Sequence, residues 1–162
     1  MPKLKRNHWL ASAQPRSFTG LMGLYESNFR RFERLAPELE LPFESATSQG
    51  EDAVLHLRVI ERCRYTTTVN LTYWFGEGAA AHPDPDLTLR VYRDAELAEA
   101  IYCDARSRYA ALAGVPNIDE DVLSEQWPRN LLLNKWLAYC LAQGHGFGGA
   151  NRPRRQPADV SG

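Results

Sequence analysis

The polar and apolar positions of this chain change period twice. Over residues 18–35, Phe18, Leu21, Met22, Tyr25, Phe29, Phe32 and Leu35 recur at intervals of three and four, with Glu26, Arg30, Arg31, Glu33 and Arg34 on the other side. That spacing predicts an amphipathic helix with an apolar face wide enough to pack on a sheet. Ser17 stands where an N-cap belongs and Pro37 where the helix must stop, while Gly20 and Gly23 each weaken it by roughly 1 kcal/mol relative to alanine.

After Pro37 the period falls to two. A short strand is expected over residues 43–48. Residues 52–62 set Leu55, Leu57 and Val59 against His56 and Arg58, and residues 65–74 set Tyr65, Thr67, Val69, Leu71 and Tyr73 against Thr66, Thr68, Asn70 and Thr72. The short link Glu61-Arg62-Cys63-Arg64 makes a hairpin of these two. Residues 76–85, rich in Gly, Ala and Pro, read as a loop, after which Leu87, Leu89 and Val91 alternate with Thr88, Arg90 and Tyr92. Beyond Asp94 two readings stand. Ala95-Glu-Leu-Ala-Glu-Ala is helix-forming with Asp94 as its cap, whereas a turn at Arg93-Asp94 would return residues 97–103 as a fifth strand.

The helical period then resumes. Asn117 and Glu120 have capping-box spacing and predict a short helix over residues 118–126. Pro128 suits a first helical position after Trp127, and Leu133, Trp136, Leu137, Cys140 and Leu141 make a buried stripe that Gly144 ends. The expected fold class is α+β: an N-terminal helix, a four- to five-stranded antiparallel sheet and a C-terminal helix, with the helices packed on one face of the sheet. Residues 1–16 are expected to be a flexible basic segment, 17–144 a single domain, and 145–162 a disordered Gly/Pro/Arg tail.

Composition narrows the setting. A chain of 162 residues buries a core without disulfides or metal. Cys63, Cys103 and Cys140 form no Cys-x-x-Cys pair, which fits a reducing compartment, and His8, His56, His82 and His145 share no ligand spacing, so no metal and no cofactor is expected. No apolar run reaches the roughly 18 to 20 residues of a membrane span, and Met1-Pro-Lys-Leu-Lys-Arg lacks a signal peptide's apolar centre, so the expected location is the cytoplasm. The net charge of −1 divides into +4 over residues 1–16, +2 over residues 145–162 and −7 on the domain between them. That acidic body disfavours nucleic acid as a partner and makes the basic ends solubilising tails.

Four blocks carry a resemblance. Tyr25-Glu-Ser-Asn-Phe with Leu35-Ala-Pro, Glu61-Arg-Cys-Arg-Tyr-Thr-Thr, Leu89-Arg-Val-Tyr-Arg-Asp-Ala-Glu-Leu-Ala-Glu, and Trp136-Leu-Ala-Tyr-Cys-Leu-Ala-Gln-Gly-His fall in this order. Together they resemble the YqiB-like family of proteobacterial proteins, over residues 18–146. That family is a domain of unknown function with no established activity, cofactor or catalytic residue, so the resemblance carries over no site. It implies a strand beyond Asp94, because relatives often have β-branched residues at the positions of Leu97 and Ile101. Where relatives tend to have His after the block's tyrosine, this chain has Arg93.

The candidate chemistry lies on the polar side of the sheet. With the Leu/Val face under the helices, the other face collects His56, Arg58, Thr66, Thr68, Asn70, Thr72, Arg90 and Tyr92. Arginine forks and hydroxyls suit phosphate or carboxylate, although a solvated sheet face has the same composition. Asp94 and Glu99, with Glu61 nearby, are candidates for paired acid and base work; the structural alternative has Asp94 bonding its own turn and Glu99 pairing with Arg90 or Arg64. Trp74, at a strand end on the polar face, suits a partner anchor or a residue tucked under residues 76–85. The cysteines do not read as nucleophiles, and no Gly-x-Ser-x-Gly, phosphate loop or Rossmann fingerprint is present. The expected function is a non-catalytic module that binds a protein or a phosphorylated small molecule through its sheet face or edge, with Arg58, Arg64, Arg90, Tyr92, Asp94 and Glu99 as candidate ligand residues. The alternative is an enzyme on a phosphorylated, nucleotide-like molecule, with Asp94 or Glu99 as base and Arg64 or Arg90 holding phosphate.

Overall fold

Five antiparallel strands form one sheet in their order along the chain: β1 Ser45–Gln49, β2 Val54–Arg62, β3 Thr66–Phe75, β4 His82–Tyr92 and β5 Leu97–Asp104. Helix α1, Phe18–Leu35, precedes the sheet and α2, Gln126–Ala142, follows it. The computed structural model describes residues 17–50, 53–75, 78–104 and 124–148. The α+β class holds, with five strands, and Leu97–Asp104 is a strand.

Alternation sorts the strands' side chains into two faces. Leu55, Leu57, Val69, Leu71, Leu87, Leu89, Ala98 and Ala100 are fully buried beneath the helices, where they meet Phe32, Leu35, Leu133, Trp136 and Leu137. At about 25 cal/mol per Å² of apolar surface removed from water, this layer is the main stabilising term of the fold. Tyr73 sits edge-on to Trp136 at 5.6 Å and closes the layer at one end.

The helices follow their sequence signals with two shifts. Ser17 caps α1, accepting the Gly20 N–H at 3.0 Å, and the helix ends before Pro37 as expected. Phe18 is nevertheless 78% exposed, and the buried line runs through Gly20, Leu24 and Asn28 instead of Leu21 and Met22. The face is turned because Asn28 is drawn to the sheet edge, as described below. Helix α2 starts two residues before Pro128, still within the first turn, where a missing N–H costs nothing. Gly144, at φ +85°, follows its C-cap. The capping-box helix lies outside the described residues up to position 123.

Strand β4 begins at His82, so residues 82–85 are strand where the sequence pointed to a loop. Among the described residues β5 pairs with β4 only as far as Asp86–Asp104, and the β3–β4 register is irregular between Thr72 and Trp74. Pro83 and Pro85 fall in this stretch, where the ladder is incomplete and a missing N–H is tolerated. The chain also stays ordered beyond Gly144. Phe147 is 4% exposed in the core, its N–H donating to the Leu35 carbonyl at 2.8 Å.

Candidate functional site

The face away from the helices is arranged in cross-strand rows. One row reads Ser45, Arg58, Asn70, Thr88 and Tyr102, and the next reads Thr47, His56, Thr72, Asp86 and Asp104, each from β1 to β5. A third has Glu61, Thr68, Arg90 and Glu99 from β2 to β5. Bulges after Val59 and Thr88 add Ile60 and Ile101, and so keep Glu61 and Tyr102 in these rows. The alternation legible in the sequence is thus the alternation that builds the site.

Three of the six candidate residues converge. The Tyr92 hydroxyl donates to Glu99 Oε1 at 2.5 Å, and Arg90 stands directly across from Glu99 and beside Tyr92. Tyr25 reaches the same carboxylate from α1; burial, with the Glu99 charge, pushes its phenol up to about 12. Burial also raises the Tyr92 phenol, and the hydrogen bond to Tyr92 raises Arg90. Glu99 is therefore held by two tyrosine hydroxyls, neither of which ionises near neutral pH.

The other three candidates stand apart. Arg58 is exposed on β2, two strands from Arg90, and bonds no other described side chain. Arg64 sits in the β2–β3 link with its guanidinium 5.4 Å from the Tyr65 ring centre. Asp94 is exposed in the β4–β5 turn, beyond the last ladder pair, Tyr92–Leu97. The turn is organised by Arg93 instead, which donates to Thr67 Oγ1 at 2.6 Å and to the carbonyls of Cys63 and Arg64, and lies 3.3 Å from Glu40.

The centre of the face is closed by its own bonds. Asp86 Oδ1 accepts from Asn70 Nδ2 at 2.7 Å and lies 3.1 Å from the Thr72 hydroxyl. Thr68 and Thr72 are buried under longer neighbours. Aromatic groups remain exposed around this centre: Trp74 at 40%, edge-on to His56 at 6.3 Å, and Tyr102 at 51%. Trp74 is not tucked away.

The outer edge of β5 is sealed, and sequence reasoning missed how. Asn130 Oδ1 accepts the Ala100 N–H at 2.6 Å, Arg129 Nε donates to the Ala100 carbonyl at 2.7 Å, and Asn28 Nδ2 lies 3.4 Å from the Ala98 carbonyl and 3.3 Å from Asn130 Oδ1. An unprotected edge would offer these groups to another strand. The available signal was an asparagine on the inward line of each helix, which a stripe of apolar residues alone does not register.

Ser48, His145 and Tyr73 form a second polar cluster behind β1. Ser48 Oγ accepts the Gly146 N–H at 3.1 Å and is hydrogen-bonded to His145 Nδ1 at 2.9 Å. Burial lowers the His145 pKa. A groove of about 210 Å³ beside the end of α1 is lined by Phe29, Phe32, Ala36, Val91, Arg93 and Glu96, and is smaller than the roughly 300 Å³ at which small-molecule sites begin. No group of three or more His, Cys, Asp or Glu side chains is placed to hold a metal among the described residues, and no described helix is long and apolar enough to cross a membrane.

Residues 31–146 match the model of a family described as proteins of unknown function, DUF1249. The chain belongs to that family. It is similar to the uncharacterized protein YqiB of Escherichia coli K12, at 33% identity over 134 residues that cover 78% of this chain and 90% of the relative. The YqiB proteins of E. coli O6:H1 and O157:H7 match to the same extent. No solved structure matches the chain.

Proposed function

We propose that this domain is a non-catalytic binding module whose contact surface is the open face of the sheet. One observation carries the reading: the described helices lie against the other face and the β5 edge, while this face presents Trp74, Tyr102 and Arg58 to solvent. Tryptophan, tyrosine and arginine are the residue types that dominate binding energy at protein interfaces. The fixed centre, Asn70, Thr72 and Asp86, gives those anchors a rigid base, which lowers the entropy lost on association. Of the two sheet edges, β5 is occupied by Asn28, Arg129 and Asn130, which favours the face over that edge as the contact surface.

The alternative, an enzyme on a phosphorylated substrate, gains no support from this arrangement. Asp94 lies out in the turn and Arg64 is stacked on Tyr65, and although Arg90 stands across from Glu99, that carboxylate is engaged by two hydroxyls and Arg90 is bonded to Tyr92. A photo-crosslinking residue placed at Tyr102 or Arg58 in living cells should trap a discrete protein adduct, whereas one at Glu26 or Arg30, on the outer side of α1, should not. Equal adducts from both sides, or none from the sheet side, would remove the reading.

A further inference from the structure

We infer that the partner on the open face is a second copy of this chain, packed face to face about a two-fold axis that runs along β3. The inference rests on the reading of this face as a contact surface and adds the occupant. It comes from the order of charges in the strand register. On β2 the outward residues are His56, Arg58 and Glu61; on β4, in the corresponding rows, they are Asp86, Thr88 and Arg90. Cation before anion along β2, Arg58 then Glu61, runs opposite to anion before cation along β4, Asp86 then Arg90, while His56 adds a neutral ring that can bond a carboxylate. The strand between them, β3, presents the uncharged Thr68, Asn70 and Thr72.

Within one chain Glu61 and Arg90 lie two strands apart, and Glu61 is the weakest of the groups acting on Arg90, after Tyr92 and Glu99. A two-fold axis along β3 brings them together. It lays β2 of one copy over β4 of the other, row on row, and β1 over β5. Glu61 then faces Arg90 and His56 faces Asp86, with Arg58 one row from Asp86, and each contact occurs twice. Trp74, on β3, falls at the axis and meets its own symmetry mate. The large Tyr102 comes over the row position of the small Ser45. Self-complementarity of this kind is what an isologous interface requires.

Size and chemistry agree with that occupant. Five strands about 4.8 Å apart and about eight residues long give a footprint of about 600 Å² before side-chain relief is counted. A standard interface takes about 800 Å² of accessible surface from each partner. Two open antiparallel faces packed about 10 Å apart make a β-sandwich, a stable way to cover such a surface. Nucleic acid fits less well, because Glu61, Asp86, Glu99 and Asp104 lie among the arginines.

Sedimentation of the full chain over a wide concentration range tests the inference. The wild type should be a reversible dimer. Glu61→Arg, which sets like charges opposite each other twice, should weaken it about a hundredfold, and adding Arg90→Glu should restore most of the loss. Trp74→Ala should weaken it at least about thirtyfold. Glu26→Arg on the outer side of α1 should change nothing. Because Arg90 also touches Tyr92 and Glu99, circular dichroism checks the fold of the double variant, and Trp74→Ala stands as an independent arm. A wild type that stays monomeric, or a dimer indifferent to both Glu61→Arg and Trp74→Ala, overturns the proposal. If the crosslinker at Tyr102 then traps a different protein, the binding-module reading survives without self-pairing; if it traps nothing, both fall.

Discussion

The two faces of one sheet are built from the same strands and do different work. On the helix side, Leu55, Leu57, Val69, Leu71, Leu87 and Leu89 are sealed in a layer where every contact contributes to folding. On the other side, Arg58, Trp74 and Tyr102 contribute little to that layer, and the Asn70, Thr72 and Asp86 group and the Arg90, Tyr92 and Glu99 group are tied down. The contrast teaches that period-two alternation in this chain separates the residues that make the fold from those available for contact. Each variant below asks whether that separation is as sharp as the geometry implies.

The largest loss is expected at Trp136, which is 1% exposed against Tyr73. Trp136→Ala should cost about 3–5 kcal/mol in urea denaturation, through lost transfer energy and a cavity that the surrounding helices cannot fill. Next comes the edge. Asn130→Ala leaves the Ala100 N–H without its acceptor, and should cost about 2–3 kcal/mol. It should also speed amide exchange at Ala100, because the edge strand loses its cover. Equal exchange in variant and wild type would mean that α2 does not seal β5.

The acid limb of stability probes the cluster behind β1. Burial lowers the pKa of His145 below its ordinary 6.5, so the unfolded chain binds the proton more readily than the folded one. Stability from this group is complete above pH 6.5 and is lost as pH falls through the folded pKa. His56 is also lowered by burial and adds to the same limb. His145→Gln should therefore flatten part of the acid limb while costing about 1 kcal/mol at neutral pH through the lost Ser48 bond. Tyr25 behaves oppositely: its phenol is raised to about 12, so its contribution is present below pH 10 and lost as pH rises through 12. Tyr25→Phe should cost about 1 kcal/mol and remove that alkaline loss.

Much of this architecture could be read from the chain. The pattern of Leu87, Leu89 and Val91 against Thr88, Arg90 and Tyr92 identified both faces, and Ser17 and Gly144 marked the outer ends of the two helices. Three features escaped because pairing decides them. Pro83 and Pro85 read as loop because their tolerance depends on the register irregularity of β3 and β4 beside them. His145 and Phe147 read as tail because no periodicity announces a segment that docks through Ser48 and Leu35. Asn28 and Asn130 were invisible because their partners are backbone groups of a distant strand. Of the candidate residues, Arg90 and Tyr92 were legible on one face, and Arg64 and Asp94 in a link and a turn, whereas the side taken by Glu99 depended on the turn after Tyr92, which brings it opposite Arg90.

The most direct test compares Trp74 with Trp136. At chain concentrations where wild type and variant are both monomeric, Trp74→Ala should lower the unfolding free energy by less than about 1 kcal/mol, the share lost with its edge contact to His56. A loss approaching that of Trp136→Ala would mean that the open face is part of the folding core, and the division between the two faces would be wrong.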